Sequence, residues 1–299
     1  MKPHFIGIGA QKAGTSWLHA CLYEHPGICM PASKEIHFFS KYYDRGIPWY
    51  EAHFRACRAT QRAGEFSPTY MYYPEAAKRL YTYHADLQLI VCLREPVART
   101  LSAYHYAIQT GALAPTMPLT EVLKQYPAYA DHSRYTMQLK RYLQYFSRQQ
   151  MLILFYEDIA ASPHVLLDAV YAFLGVDRQF RPAMVGRRVN ASRGAPRLGL
   201  LDQWLKRGAA SLRYAGFARL VWRLSRSRFV ESMQRLNARP LTPQPLSAET
   251  LAALYRSFAP EVQATADLIG REVPASWSAP MAQPLESLEP MERTDAIWS

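Results

Sequence analysis

The stretch from Phe5 to Trp17, FIGIGAQKAGTSW, runs an apolar strand directly into a glycine-containing turn and the start of a helix. Gly9 and Gly14 stand in the GxxxxG spacing of a phosphate-binding loop. Small residues there let backbone N–H groups close around phosphate oxygens, and the N-terminus of the following helix adds the positive end of its dipole. Thr15 and Ser16 then supply hydroxyl donors. A tight turn beside a buried strand is the alternative, and the order of strand, lysine and hydroxyl pair favours the phosphate site.

The position of the lysine separates this loop from that of nucleotide triphosphatases. Their pattern places a lysine directly after the second glycine. Here Thr15 follows Gly14, and Lys12 lies inside the loop. A magnesium-dependent kinase or triphosphatase is therefore the less favoured interpretation.

A second phosphate-binding pattern begins at residue 87. The continuous apolar run Leu87 to Leu93, LQLIVCL, is typical of a buried parallel strand and ends in Arg94. A magnesium-binding strand of this kind would end in Asp. Arginine instead presents a planar fork of donors that suits a phosphate, and Ser102 on the helix predicted from Val97 to Ile108 can add a hydroxyl.

Together these patterns resemble the sulfotransferases that use 3′-phosphoadenosine 5′-phosphosulfate (PAPS). The first is similar to their 5′-phosphosulfate loop, and LREPVARTLSAYHY is similar to their 3′-phosphate motif. The resemblance implies that Lys12 reaches the bridging oxygen of the donor and that Arg94 and Ser102 bind the 3′-phosphate. It implies further donor contacts from the loop, namely Lys12, Ala13, Gly14, Thr15, Ser16 and Trp17.

The segment KEIHFF, residues 34–39, resembles the KExHFF segment of the heparan-sulfate type Golgi sulfotransferases. There the glutamate is the catalytic base, so the resemblance implies that role for Glu35. His37 is the rival base, since a related cytosolic branch of the family uses histidine. Without the resemblance, Glu35 would be a surface carboxylate paired with Lys34 and His37 a core or turn histidine. Ser40 departs from the pattern, since many of those enzymes place an acidic residue after FF.

Three further segments extend the resemblance over roughly residues 1–199. GEFSPTY and HSRYTMQLKRYLQYF are similar to segments of the same Golgi enzymes. The loop VNASRGAPR, residues 189–197, lies where the family keeps a basic loop over the adenosine and the 3′-phosphate. This implies donor contacts from Ser192, Arg193 and Gly194.

The alternation of strands near residues 4, 89 and 152 with helical stretches predicts an α/β fold. We expect a P-loop-type central parallel sheet flanked by helices, with a basic helical C-terminal part. A single sulfotransferase domain should cover residues 1–277, with its catalytic core at about 1–199 and a helical extension at about 200–277. Residues 278–299 read as a flexible tail. Helices are predicted over 131–146 and 163–174, the latter ending at Gly175, and residues 247–271 read as paired short helices.

The chain carries 35 Lys and Arg against 24 Asp and Glu, a formal net charge of +11. This balance favours a polyanionic partner. Fifteen of the basic residues lie between Arg178 and Arg239, where only Asp202 and Glu231 are acidic. That region is either the polar face of an amphipathic helix or a surface for an acidic acceptor or a membrane. A non-catalytic polyanion or membrane binder is thus a second alternative function.

The cysteines Cys21, Cys29, Cys57 and Cys92 form no CxxC pair and no metal-ligand spacing. Reduced, mostly buried thiols and no metal site are expected. No targeting segment or membrane span is recognisable, so a soluble cytoplasmic protein is expected.

The favoured function is sulfuryl transfer from PAPS to an acceptor hydroxyl, or less favourably an amine, without a metal ion. The acceptor stays open among a glycan, a lipid-linked sugar and a secondary metabolite, and so does the oligomeric state. No nucleic-acid partner is expected, whereas peripheral membrane contact is compatible with the basic region.

Overall fold

Five parallel strands form the central sheet of the computed structural model, which describes residues 1–31, 34–186 and 246–278 and the short segments 195–196, 208 and 238–239. The strands are β1 (Phe5–Gly9), β2 (Ile28–Cys29), β3 (Arg62–Phe66), β4 (Gln88–Leu93) and β5 (Met151–Phe155). Their spatial order is β2-β3-β1-β4-β5, and Phe5 lies opposite Gly64 on one side and Gln88 on the other. The predicted parallel α/β sheet is confirmed.

Helices cover the sheet and connect its strands. Their bounds are α1 (Thr15–Glu24), α2 (Ile47–Ala52), α3 (Ala76–Tyr83), α4 (Pro96–Gln109), α5 (Leu119–Gln125), α6 (Ala128–Asp131), α7 (Tyr135–Leu143), α8 (Tyr156–Ala161), α9 (Pro163–Leu174) and α10 (Ala248–Ile269). Single 3₁₀ turns lie at Tyr43–Arg45, Arg148–Gln150 and Ala275–Trp277. A separate antiparallel pair joins β6 (Ala195–Pro196) to β7 (Ala238–Arg239).

Glycines in the strands make room for aromatic rings of the neighbouring strand. A Cβ atom on Gly7 would lie 2.0 Å from the ring of Phe66, and one on Gly64 would lie 2.4 Å from the ring of Phe5. Both rings are buried, which is consistent with a sheet covered on both faces. The strand β1 therefore tolerates few other side chains at its glycine positions.

The helix α4 begins at Pro96, one residue before its predicted start at Val97, and Glu95 separates it from Arg94. The carboxylate of Glu95 accepts hydrogen bonds from the backbone N–H groups of Val97 and Ala98, and Pro96 occupies the first turn. The predicted end of α9 at Gly175 is also confirmed, since this glycine adopts φ 66°.

The prediction of paired short helices over residues 247–271 is wrong, because α10 is one helix of 22 residues with Pro260 inside it. Ser247 caps it by accepting a hydrogen bond from the Thr250 N–H at 3.1 Å. Its buried face packs on α4 and α7 and includes Leu254, Phe258, Val262, Thr265 and Ile269. Burial along the whole length offsets the roughly 3 kcal/mol that an interior proline costs.

The prediction of four reduced thiols is wrong for Cys29 and Cys57, which form a disulfide with Cα atoms 5.5 Å apart. Cys29 ends β2 and Cys57 follows α2, so a contact between distant segments creates the bond and no local spacing reveals it. Cys21 and Cys92 are free and buried, as predicted.

Several predictions fall beyond the described residues. Most of the basic region from Arg178 to Arg239 lies there, as does the predicted tail apart from Ser278. Within the described part of the chain, no helix is long and apolar enough to cross a bilayer.

Candidate active site

The candidate site lies at the carboxyl ends of β1 and β4, the two central strands of the sheet. The chain connections after β1 and β4 lead toward opposite edges of the sheet. Open parallel sheets bind ligands at the carboxyl ends of two such strands. The loop after β1 meets the end of β4 directly, since the Ala10 N–H donates to the carbonyl of Cys92 at 2.8 Å. The two predicted phosphate patterns are therefore neighbours in space.

The loop from residue 10 to 14 turns through two left-handed residues, Lys12 with φ 68° and Gly14 with φ 82°. Gly14 precedes α1 and is closely packed, since a Cβ atom there would lie 2.3 Å from Cδ1 of Ile159. Ala13 and Thr15 are buried beside it. The backbone N–H groups at the start of α1 thus face the loop, as a phosphate cradle requires.

Trp17 lies on the first turn of α1 and is 6% exposed. Its indole N–H donates to the carbonyl of Val185 at 3.4 Å. This contact ties the start of α1 to residues that precede the basic loop at 189–197. The candidate donor contacts Ser192, Arg193 and Gly194 lie outside the described residues.

Arg94 contacts the phosphate loop directly. Its Nη1 donates to the carbonyl oxygen of Lys12 at 3.1 Å, and its guanidinium lies 4.3 Å from the ring centre of Tyr156. Ser102 is half-buried on α4, and no hydrogen bond joins it to Arg94 among the described side chains. The structure therefore joins Arg94 to the loop but not to Ser102.

The ammonium of Lys12 lies 4.0 Å from the ring centre of Tyr106, an exposed residue one helical turn after Ser102 on α4. Burial, followed by the nearby cations Arg94, Lys34 and Arg99, lowers the pKa of Lys12 to about 8. A bound anion would raise the pKa of Lys12, because a negative charge nearby favours the protonated ammonium. Sequence reasoning missed Tyr106, although its spacing of four residues from Ser102 places both on one face of the helix.

Arg99 adds a buried positive charge behind the loop. It is 1% exposed and donates to the hydroxyls of Ser133 and Thr100 and to the carbonyl of Tyr129. These acceptors are all neutral, and burial lowers the pKa of Arg99 to about 10. Among the described residues, no carboxylate forms an ion pair with Arg99, so its charge adds to those of Lys12 and Arg94.

The segment KEIHFF brings Lys34, Glu35 and His37 to the loop. Lys34 Nζ donates to Ser16 Oγ at 2.8 Å and lies 2.9 Å from Glu35 Oε1. Glu35 Oε2 lies 3.4 Å from His37 Nε2. Glu35 and His37 both adopt left-handed backbone conformations, with φ 65° and 56°. The two candidate bases are thus in contact, and Lys34 connects them to the loop helix.

Two opposing effects act on the Glu35 carboxylate. Burial alone would raise its pKa, but the hydrogen bond from His37 and the charge and hydrogen bond of Lys34 outweigh burial and lower the pKa to about 2. Glu35 is consequently ionised at neutral pH. Both of its oxygens hold a partner in the free protein.

His37 is held from the other side by the GEFSPTY segment. Its Nδ1 lies 2.9 Å from Thr69 Oγ1, and its backbone N–H donates to Ser67 Oγ at 3.0 Å. Sequence reasoning assigned no role to these two hydroxyls. Their signal was the position of two hydroxyl residues directly after a buried strand.

The arrangement places two chemical capacities side by side. The loop amides, Lys12 and Arg94 can bind and neutralise an anionic group, and Glu35 or His37 can accept a proton. Among the described residues, no group of three or more His, Cys, Asp or Glu side chains is placed to hold a metal ion.

A family model described as "Sulfotransferase domain" matches residues 2–190 of the chain. The chain is 31% identical over 207 residues to heparan sulfate glucosamine 3-O-sulfotransferase 5 of Homo sapiens, which covers 64% of this chain and 58% of that protein. It is 43% identical over 110 residues to the membrane-associated sulfotransferase kil1 of Dictyostelium discoideum, and the match covers 36% of this chain and 23% of that protein. The match thus spans less than two thirds of these relatives' length.

Two solved structures share the fold. A sulfotransferase from Alicyclobacillus acidocaldarius aligns with a TM-score of 0.69 at 24% identity, over 93% of this chain and 100% of that one. A sulfotransferase domain from the curacin biosynthetic pathway aligns with a TM-score of 0.51 at 15% identity, over 91% and 99%.

Proposed function

The chain belongs to the family of proteins that carry a sulfotransferase domain, and from this premise we propose that it transfers a sulfuryl group from PAPS to an acceptor hydroxyl. The observation that carries the proposal is the convergence of Lys12, Arg94 and the start of α1 at one edge of the sheet. A strongly cationic loop of this form suits the 5′-phosphosulfate of the donor.

The donor nucleotide is proposed to bind along the loop and α4. Backbone N–H groups at residues 13–16 and the hydroxyls of Thr15 and Ser16 hold the 5′-phosphosulfate. Arg94 and Ser102 hold the 3′-phosphate. Trp17 and the residues Ser192, Arg193 and Gly194 complete the donor site in this proposal.

The transfer step is an in-line displacement at sulfur. The acceptor oxygen forms a bond to sulfur as the bond from sulfur to the bridging phosphate oxygen breaks, and the acceptor proton passes to Glu35. Lys12 stabilises the negative charge that grows on the departing 5′-phosphate. The leaving product is 3′-phosphoadenosine 5′-phosphate (PAP). The proposal assigns charge stabilisation to side-chain cations rather than to a metal ion.

The low pKa of Glu35 makes it a weak base in the free protein, because proton transfer is most efficient when the pKa lies near the working pH. An acceptor hydroxyl that binds this carboxylate in place of Lys34 or His37 would remove one of its two partners. Losing either partner raises the pKa of Glu35, so acceptor binding itself would strengthen the base. His37 is the alternative base, through Nε2.

A carbohydrate hydroxyl is the proposed acceptor class. The relatives named as heparan sulfate glucosamine 3-O-sulfotransferases support it, and the net charge of +11 suits an acidic glycan. A lipid-linked sugar and a hydroxylated secondary metabolite are the competing acceptors.

The test is a transfer assay with sulfate-labelled PAPS against a panel of acidic polysaccharides, lipid-linked sugars and small hydroxylated metabolites. We expect label on one class of acceptor and release of PAP in equal amount. Lys12→Ala serves as the control that retains the fold of the chain but loses transfer. Transfer of phosphate from ATP with magnesium, with no transfer from PAPS, would instead establish the kinase alternative.

A further inference from the structure

A buried carboxylate lies next to the segment KEIHFF, residues 34–39, which is called the catalytic segment below because it carries Glu35 and His37. Glu65 on β3 is 1% exposed, and its oxygens accept hydrogen bonds from three hydroxyls. Ser67 Oγ donates to Oε2 at 2.7 Å, while the hydroxyls of Tyr70 and Tyr50 donate to Oε1 at 2.8 and 3.5 Å. Burial raises the pKa of Glu65 to about 7, and the hydrogen bonds of Ser67 and Tyr70 act against that rise.

The first of these three hydroxyl residues holds His37. The oxygen of Ser67 that donates to Glu65 also accepts the His37 backbone N–H at 3.0 Å. A single hydroxyl therefore links the carboxylate to the backbone of the catalytic segment.

The two tyrosines hold the next two residues of the segment. Phe38 stacks on Tyr50 with ring centres 4.7 Å apart and planes 13° apart. Phe39 packs edge-on against Tyr70 at 5.7 Å. Three consecutive residues, His37, Phe38 and Phe39, thus each contact a residue whose hydroxyl points at Glu65.

The catalytic segment needs such support because its backbone is unusual. Glu35 and His37 both have positive φ, a conformation that non-glycine residues keep only when their surroundings impose it. The Glu35 N–H also donates to the carbonyl of Phe66 at 3.0 Å, directly beside Glu65 in β3. The segment is therefore fixed on both sides of Ile36 by residues that neighbour Glu65.

We propose that Glu65 is a positioning residue that holds His37, Phe38 and Phe39, and with them the Glu35 carboxylate, in the geometry that transfer requires. The role in transfer rests on the proposed function, whereas the role in holding the segment does not. Glu65 contacts neither donor nor acceptor, and it acts through Ser67, Tyr50 and Tyr70.

The test compares Glu65→Gln and Ser67→Ala with the parent protein. Glutamine has the size of glutamate but replaces one accepting oxygen by a donor, so either the Ser67 hydroxyl or the two tyrosine hydroxyls lose their acceptor. Ser67→Ala keeps the carboxylate and removes only its link to His37, and it is the informative variant if Glu65→Gln fails to fold. Thr265→Val is the matched control. It removes a buried hydroxyl on α10 that is hydrogen-bonded to the hydroxyl of Thr136 on α7.

Hydrogen exchange followed by mass spectrometry gives a readout that needs no acceptor. Both site variants should exchange the amides of residues 35–39 at least about 10-fold faster, while the amides of residues 13–18 keep the parent rate. Unchanged exchange at residues 35–39 in both variants would overturn the proposal. Thr265→Val should leave both segments unchanged.

Kinetics then separate positioning from general damage. We expect kcat to fall on the order of 10²-fold, with the donor KM and the PAP affinity unchanged. The acid limb of the pH–rate profile should shift to higher pH, because a displaced His37 no longer lowers the pKa of Glu35. Equal losses in kcat and PAP affinity would contradict a positioning role. A parent protein without any transfer would overturn the proposed function, and the exchange data would still decide whether Glu65 holds the segment.

Discussion

The guanidinium of Arg94 donates a hydrogen bond to the backbone carbonyl of Lys12 at 3.1 Å, across 82 residues of sequence. Arg94 directly follows β4, and Lys12 lies in the loop after β1. Their contact makes the two phosphate-binding patterns of the sequence one site. It also places two positive charges together, which the protein stabilises poorly until an anion arrives.

Lys12 should take up a proton when PAP binds at alkaline pH. Its pKa is lowered to about 8 by burial and neighbouring cations, so above that pH the free protein holds it mostly neutral. The phosphates raise this pKa, and affinity should therefore fall as pH rises through about 8. Calorimetric titration at pH 8.5 in buffers of different ionisation enthalpy measures the uptake. The same uptake in Lys12→Ala would assign the proton to another group.

Lys12→Ala should also lower turnover more than it weakens PAP binding. Its ammonium is proposed to act on charge that develops during transfer, whereas the loop amides still hold the 5′-phosphate in the variant. Single-turnover rates and PAP affinities, measured in parallel, test this. A variant that transfers sulfate at the parent rate would leave Lys12 with a structural role only.

Glu35→Gln should bind PAP as the parent does and lose transfer by about 10²–10⁴-fold, the usual contribution of a positioned base. The amide keeps the size of the side chain and removes its basic oxygen. His37→Ala is the companion variant, since its Nε2 lies 3.4 Å from the same carboxylate. Near-parent transfer by Glu35→Gln with loss in His37→Ala would move the catalytic role to His37.

Sequence reasoning predicted what depends on local order along the chain. The strand before Gly9, the arginine after β4 and the cap at Gly175 each follow from residues close together in sequence. The contact of Lys12 with Tyr106, the hydrogen bond from the His37 N–H to Ser67 and the hydrogen bond from Tyr50 to Glu65 join distant segments. Packing in three dimensions decides such contacts, and it also overrode the local signal of Pro260 in α10.

Gly14→Ala should destabilise the protein more than Gly111→Ala does. Both glycines have positive φ, 82° and 75°, so alanine at either costs roughly 1–2 kcal/mol of backbone strain. Only at Gly14 does the new Cβ collide, with Ile159 and with Tyr156, which stacks on Arg94. Denaturant unfolding and PAP titration of both variants measure the difference. If both variants lost the same stability and bound PAP as the parent does, the loop would have room for a Cβ atom at residue 14.

Reduction of the Cys29–Cys57 disulfide should lower stability by about 3 to 4 kcal/mol, the chain-entropy value for a loop of this length. Alkylation after unfolding without reductant should label only Cys21 and Cys92, as mass spectrometry can show. Four labelled cysteines would mean that the bond does not form. Disulfides are typical of oxidising compartments, and the cytoplasmic location stays a prediction.

The claim on which the account depends is that the loop and Arg94 form a site for a 3′-phosphorylated adenosine nucleotide. Calorimetric titration with PAP, adenosine 5′-phosphate and ATP with magnesium tests it directly, with Arg94→Ala beside the parent. PAP should bind most tightly of the three. Its binding free energy should exceed that of adenosine 5′-phosphate by about 1.5–3 kcal/mol, the contribution of a charge-assisted hydrogen bond to the 3′-phosphate. Arg94→Ala should remove that difference. Equal affinity for PAP and adenosine 5′-phosphate, or tighter binding of ATP with magnesium, would contradict the account.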